Sequence, residues 1–149
     1  MFPNAKGSEL FSVLATIDPA SQAVGTVTTG WISAGNHHNL LALVQSGALG
    51  TGATLDAKIQ QATDATGTGA KDLTGKSITQ LTQAASGSGK QALINLRPDD
   101  LDANNGYAYV RLSVTVGVAA SLMAAQLLGV NPRFAPGDAS NQSAVAQIV

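Results

Sequence analysis

A strict alternation between positions 110 and 118 constrains the fold of this chain more than any other feature. Every second residue there is apolar: Val110, Leu112, Val114, Val116 and Val118. The residues between them are small or polar: Arg111, Ser113, Thr115 and Gly117. A period of two residues is that of a β-strand with one face in a core. We therefore interpret the 19 uncharged residues from 112 to 130 as core sequence rather than as a membrane span.

Several other short segments predict strands separated by turns. Residues 54–63 favour strand over helix because Leu55, Ala57 and Ile59 alternate with polar residues. Further strands are expected at 23–33, 40–44, 77–82 and 91–96. Turns are expected at 18–19, 37–38 and 98–106, and an irregular glycine-rich loop at 65–76. The pattern shows no strand–helix–strand alternation and predicts an all-β fold, an antiparallel β-sandwich or barrel-like domain.

Residues 121–128 allow two interpretations. Ser121 and the following Gly129 are typical of a helix cap and a helix stop. The same residues also fit the return strand of a hairpin that turns at 117–120. We favour the strand, because a helix of about two turns is marginal on its own.

The length of 149 residues predicts one domain. Residues 1–8 and 136–149 lack periodicity and are expected to form a flexible N-terminal arm and a C-terminal tail around a β-rich domain at 9–135. No basic stretch followed by an apolar run opens the chain, so no secretory signal is predicted.

The composition favours a protein that shares its surface with neighbours. Only 11% of the residues are charged, although 44% are hydrophobic, whereas soluble domains usually carry about 25% charged residues. The eight basic residues are scattered and the net charge is −1, so nucleic acid is not an expected partner. There is no cysteine for a disulfide or a thiolate–metal site.

Three motifs resemble chemical sites without completing them. Lys76-Ser77 lacks the upstream glycine and the long helix of a phosphate-binding loop. His37 and His38, being adjacent, should face opposite sides of a strand, and they have no third ligand for zinc. The acidic segment 100–105 has an asparagine where a calcium loop needs glycine, so a turn is the better interpretation. We predict no enzymatic activity, metal, cofactor or small-molecule substrate.

The segments WISAGN and GATLDAKIQQATDATGTGAKDLTGKSITQLTQ resemble a group of small proteins encoded with the head genes of tailed bacteriophages. The similarity runs from about 31 to 134 and is most specific at 52–83. The resemblance implies a structural protein of the virion, made in the host cytoplasm and placed on the capsid exterior as a cement (decoration) protein. The implied partners are the major capsid protein and further copies of the chain, often as a trimer.

Contact residues are expected on the arms and among the aromatic residues. Phe2, Phe11 and Trp31 are the candidate interface residues, although a core position for Trp31 is the stronger expectation. Two other functions stay open. One is a head–tail connector or tail component, and the other is a β-domain that binds carbohydrate through Trp31 and the two tyrosines.

Overall fold

The computed structural model describes residues 4–149 and shows a sandwich of two antiparallel sheets. The strands are β1 (Phe11–Gln22), β2 (Gly25–Thr28), β3 (Ile32–Ser33), β4 (His37–Ser46), β5 (Thr54–Ala62), β6 (Lys71–Ser77), β7 (Leu81–Thr82), β8 (Gln91–Leu96), β9 (Tyr109–Gly117) and β10 (Ser121–Pro132). Short 3-10 turns, at Gly7–Leu10, Ala34–Asn36, Pro98–Asp100, Ala103–Asn105 and Gly137–Ser140, are the helical elements of the described residues. The predicted all-β sandwich is confirmed.

One sheet has four strands in the order β1-β10-β4-β8, and we call it sheet A. In the second sheet, sheet B, β9 lies between β5 and the two short strands β2 and β3, while β6 and β7 pair with the other side of β5. The core between the sheets includes Leu55 and Ile59 of β5 and Val114 of β9, none of which exposes surface. The alternation predicted for β5 and for residues 110–116 is therefore confirmed.

The predicted hairpin between β9 and β10 is wrong, although the strand at 121–128 is confirmed. β10 pairs with β1 and β4 in sheet A, whereas β9 belongs to sheet B. The connection at 118–120 therefore crosses from one sheet to the other. Val118 is 72% exposed with a φ of 69°, so its predicted inward position is wrong and the inward alternation ends at Val116.

The predicted turn at Asp18-Pro19 is also wrong, because β1 continues through it to Gln22. A register shift between Ile17 and Ala20 accommodates the proline, and β1 is an edge strand, where a missing N–H is tolerated. His37 and His38 likewise do not form a turn but begin β4. The predicted turn at 98–106 is confirmed and ends at Gly106, whose φ is 80°.

The predicted glycine-rich loop extends too far along the chain, and the predicted strand at 77–82 is misplaced. Residues 71–77 form β6 at the edge of sheet B, and only 81–82 of the next segment pair as β7. Leu73 is the one buried residue of β6, so this edge strand lacks an apolar alternation. The segment predicted at 23–33 is a strand in two pieces, β2 and β3.

Candidate interaction surface

The outer side of sheet A is rich in exposed and half-buried apolar side chains, and the C-terminal segment contacts its edge at Thr16 through the Gln142 side chain. We call it the apolar face and define it by the outward side chains of the four strands: Phe11, Val13, Leu41, Leu43, Leu93, Leu122, Ala124, Leu128 and Val130, with the polar residues Thr16, Gln45, Gln91, Asn95 and Gln126 among them. Leu93 is 58% exposed, Leu122 47% and Phe11 38%.

Cross-strand pairing brings these side chains together in rows. Val13, Leu128 and Leu41 stand opposite one another across β1, β10 and β4. Leu43 stands opposite Leu93 of β8 in the neighbouring row. Side chains directly opposite in an antiparallel sheet have Cβ atoms about 5 Å apart, so the apolar members of each row are in contact, with Gln126 next to Leu43 and Asn95 next to Leu41. The apolar residues are therefore clustered, unlike the isolated exposed leucines of ordinary surfaces.

Charge is distributed very unevenly between the two sheets. Across the described strands of sheet A, Asp18 in β1 is the one acidic residue, and the basic side chains are those of His37 and His38 at the start of β4. The strands of sheet B carry six acidic or basic residues: Asp56, Lys58, Lys71, Asp72, Lys76 and Arg111. Sheet B therefore carries most of the charged side chains of the two sheets, and sheet A carries few.

The C-terminal segment covers the free edge of β1. The Val13 N–H donates to the Asn141 side-chain oxygen at 2.7 Å, and the Gln142 N–H donates to the Val13 carbonyl at 2.8 Å. Gly137 is buried against Glu9 and Phe11, where an added Cβ would lie 2.9 Å from two backbone oxygens. Part of the predicted tail thus lies against the domain, and the division into arm, domain and tail stays a prediction.

A lysine occupies part of the opposite edge. Lys76 donates to the Asn95 carbonyl of β8 at 2.9 Å and forms an ion pair with Asp100, also at 2.9 Å. The N–H of Arg97 and the ammonium of Lys76 lower the pKa of the Asp100 carboxyl. A charged side chain at a sheet edge opposes the addition of a further strand.

A buried histidine links the C-terminal segment to sheet A. Ser12 donates its hydroxyl hydrogen to the Gly137 carbonyl, so Nε2 of His37 is the donor to the Ser12 oxygen, at 2.9 Å. His37 Nδ1 then has no hydrogen-bond partner among residues 4–149, and the ring is 1% exposed. Burial lowers the pKa of His37, so the ring is held neutral.

Trp31 lies at sheet B and outside the core, as a half-buried residue. The Arg111 guanidinium stacks on its ring at 4.5 Å, and Arg111 Nε donates to the Gln60 side-chain oxygen at 2.9 Å. At Gly67 an added Cβ would lie 2.4 Å from the indole nitrogen. Arg111 thus covers one face of the ring, and Gly67 lies beside the edge that carries the nitrogen.

Tyr107 is also engaged within the chain. Its hydroxyl donates to the Gly69 carbonyl at 2.9 Å, and Lys71 lies over its ring at 4.2 Å. Lys71 pairs with Asp102 at 2.6 Å, which lowers the pKa of that carboxyl. These contacts connect Trp31 and Tyr107 to the loop at 63–70, and the carbohydrate-binding function stays a prediction.

The three predicted interface residues do not form one site. Phe2 lies outside the described residues, Phe11 is at a corner of the apolar face, and Trp31 is on the other sheet. The rest of the apolar face was missed, although residues 40–44 held a signal. Their five consecutive apolar residues are typical of a strand with both faces covered.

The remaining motifs are not assembled into a chemical site. Within residues 4–149, no group of three His, Cys, Asp or Glu side chains is placed to hold a metal ion. Lys76 and Ser77 lie in β6 and not at the start of a helix. No helix in the described part of the chain is long and apolar enough to span a membrane.

No protein-family model and no curated protein matches the chain. Among solved structures it is similar to Triatoma virus, with a TM-score of 0.46 and 9% identity over 91% of this chain and 70% of that one. For the Cowpea mosaic virus top component the TM-score is 0.44 and the sequence identity is 12%, over 86% of both chains. For the CBM22-2 xylan-binding domain from Paenibacillus barcinonensis Xyn10C the TM-score is 0.39 and the sequence identity is 8%, over 87% of this chain and 96% of that one. At these TM-scores and identities, the similarities carry no argument about function.

Proposed function

We propose that this protein is a non-enzymatic structural component of a bacteriophage particle, a cement (decoration) protein that binds the outside of the assembled head. The observation that carries the proposal is the apolar face, an uncharged sheet surface with Leu93 and Leu122 about half exposed. Large contiguous apolar surfaces on soluble domains are the sites of protein–protein contacts. The resemblance of residues 31–134 to phage head proteins supports the same role.

The two faces of the sandwich suit a subunit that is bound on one side and exposed on the other. Sheet B keeps ion pairs such as Lys58–Asp72, at 2.7 Å, on its surface. Sheet A has no such pair among its described strands, so its outer side offers few charged groups for water to hydrate. Many copies with modest contacts each would add to the stability of a shell through multivalency.

The chain ends are the second proposed contact with the capsid. Beyond Gln142, which is tied to β1, the last residues are mostly exposed, with Ile148 at 49%. Segments of this kind can become ordered against a neighbouring subunit. The proposed partners are the major capsid protein and further copies of this chain.

The copy number of the protein in purified particles tests the proposal. A quantified protein gel should show hundreds of copies per head, whereas a head–tail connector would be present in roughly a dozen or fewer, because it occupies one vertex. Absence from mature heads, or presence only at the tail vertex, would contradict the cement function. In the second case the connector function takes its place.

Two sets of variants test how the protein is held. Leu43→Glu should reduce retention on expanded capsids and survival of the particles under heat or chelator, whereas Thr28→Glu, exposed on sheet B, should not. Removal of residues 1–8 or 143–149 tests the ends. The second deletion keeps Asn141 and Gln142, which hold β1.

A further inference from the structure

We infer that the apolar face is covered by a second copy of the same chain, in a two-fold dimer with the two A sheets packed face to face. The inference rests on the proposed structural role and names the partner of this surface. It is argued from the charge, the size and the edges of sheet A.

The absence of charge on the apolar face allows it to meet its own copy. A two-fold contact places the same patch on both sides, so any charge near its centre would face a like charge. Asp18, the acidic residue of the four described strands, lies on the edge strand β1 beside Thr16, at the margin of the face and not at its centre. Amides at the face, such as Gln126, can donate to and accept from a second amide.

The size of the face fits a dimer at the small end of specific interfaces. Four strands about 4.8 Å apart and about 10 residues long give a footprint of about 600 Å². Two copies would then bury about 1,200 Å², the lower end of the range for specific interfaces. Sheets of this kind pack about 10 Å apart with their strands within about 30° of parallel.

The edges of sheet A are less available than its face. The C-terminal segment pairs with β1 through Asn141 and Gln142, and Lys76 binds the Asn95 carbonyl of β8. Association by strand addition would have to displace these contacts. A face-to-face contact displaces none of them, and it closes at two copies, unlike a head-to-tail contact.

The molar mass of the purified full-length chain, measured by sedimentation over a wide range of concentrations, tests the dimer. We expect a reversible shift from one to two copies. Leu43→Glu should raise the dissociation constant about a hundredfold or more, because each substitution occurs twice in a two-fold interface. Thr28→Glu, on sheet B, should leave the constant unchanged. Circular dichroism shows whether both variants keep the fold.

A cross-linking experiment gives a second measurement with the fold intact. Because the chain has no cysteine, Gln126→Cys introduces a single thiol near the middle of β10 and of the face. Oxidation should link two copies through this thiol, and the matched Thr28→Cys variant should stay unlinked. A wild-type chain that is monomeric at every concentration, or a Leu43→Glu variant that stays dimeric, would overturn the inference.

The outcomes separate the dimer from the proposed function. If the free chain is monomeric but Leu43→Glu is lost from particles, the face binds another protein, so the dimer is wrong and the structural function stands. If the chain dimerises through this face but is absent from particles, the dimer stands and the proposed function is wrong.

Discussion

Replacing Val114 by aspartate tests the register of β9, on which the whole core depends. Val114 exposes no surface and stands between Ala57 of β5 and Val27 of β2. Loss of the valine removes about 1.5–3 kcal/mol of burial. The unpaired carboxylate costs several kcal/mol more, whether it stays ionised or binds a proton with a raised pKa. A total of about 5 kcal/mol or more approaches the whole stability of an ordinary domain.

Thr115→Asp is the matched control on the other side of the same strand. Thr115 is half-buried, its hydroxyl lies 2.8 Å from that of Thr26, and Asp56 stands opposite it. The substitution therefore loses one exposed hydrogen bond and adds a like-charge neighbour, for a cost of about 1–2 kcal/mol.

Urea unfolding, followed by circular dichroism and by the fluorescence of the single tryptophan, measures both free energies of unfolding. We expect Thr115→Asp to remain folded with a lower midpoint, and Val114→Asp to be insoluble or unfolded. Equal losses in the two variants, or a Val114→Asp protein with the wild-type midpoint, would show that the register of β9 is misread.

Three further predictions concern contacts outside the β9 core. Because burial lowers the pKa of His37 below 6.5, the unfolded chain binds the extra proton first as the pH falls. The free energy of unfolding should then fall by up to about 1.4 kcal/mol per pH unit below pH 6.5. His37→Gln should flatten this slope and His38→Gln should not, and equal slopes in both would contradict the assignment. Gly137→Ala should release the C-terminal segment, seen as faster proteolytic trimming than in wild type, since the added Cβ meets backbone. Gly67→Ala should cost about 1–2 kcal/mol at its φ of 90° and shift the emission of Trp31, and an unchanged spectrum would refute the contact.

The inward faces of β5 and β9 could be predicted because each strand has one side in the core and one side in water. In such strands the alternation of apolar and polar residues indicates which side faces the core. Leu55 and Val114 are buried, as that alternation predicts. The alternation is local, however, and it says nothing about the partner strand. The change of sheet between β9 and β10 depends on packing across the whole sandwich, so the sequence suggested a hairpin.

β6 was missed for the opposite reason, because Leu73 is its one residue in the core and its other residues are polar or glycine. Lys58 and Gln60 of β5 both donate to the Asp72 carboxylate, at 2.7 and 2.8 Å. The pairing shifts register between these two β5 residues, and Gly75 has a φ of 76°. A polar edge strand with a glycine has the composition of a loop, so only its side-chain partners distinguish it from one.

The low charge of the chain can be assigned to one surface only after the strands have been assigned to sheets. As a composition it is compatible with any weakly charged surface. In the fold, the strands at 37–46 and 121–132 are apolar on both faces, and they lie side by side at the centre of sheet A. Half of that apolar surface is used by the core, and the other half faces outward with no partner among residues 4–149. Exposed apolar patches on soluble domains mark contacts with proteins, membranes or ligands, and the proposed dimer is a contact of the first kind.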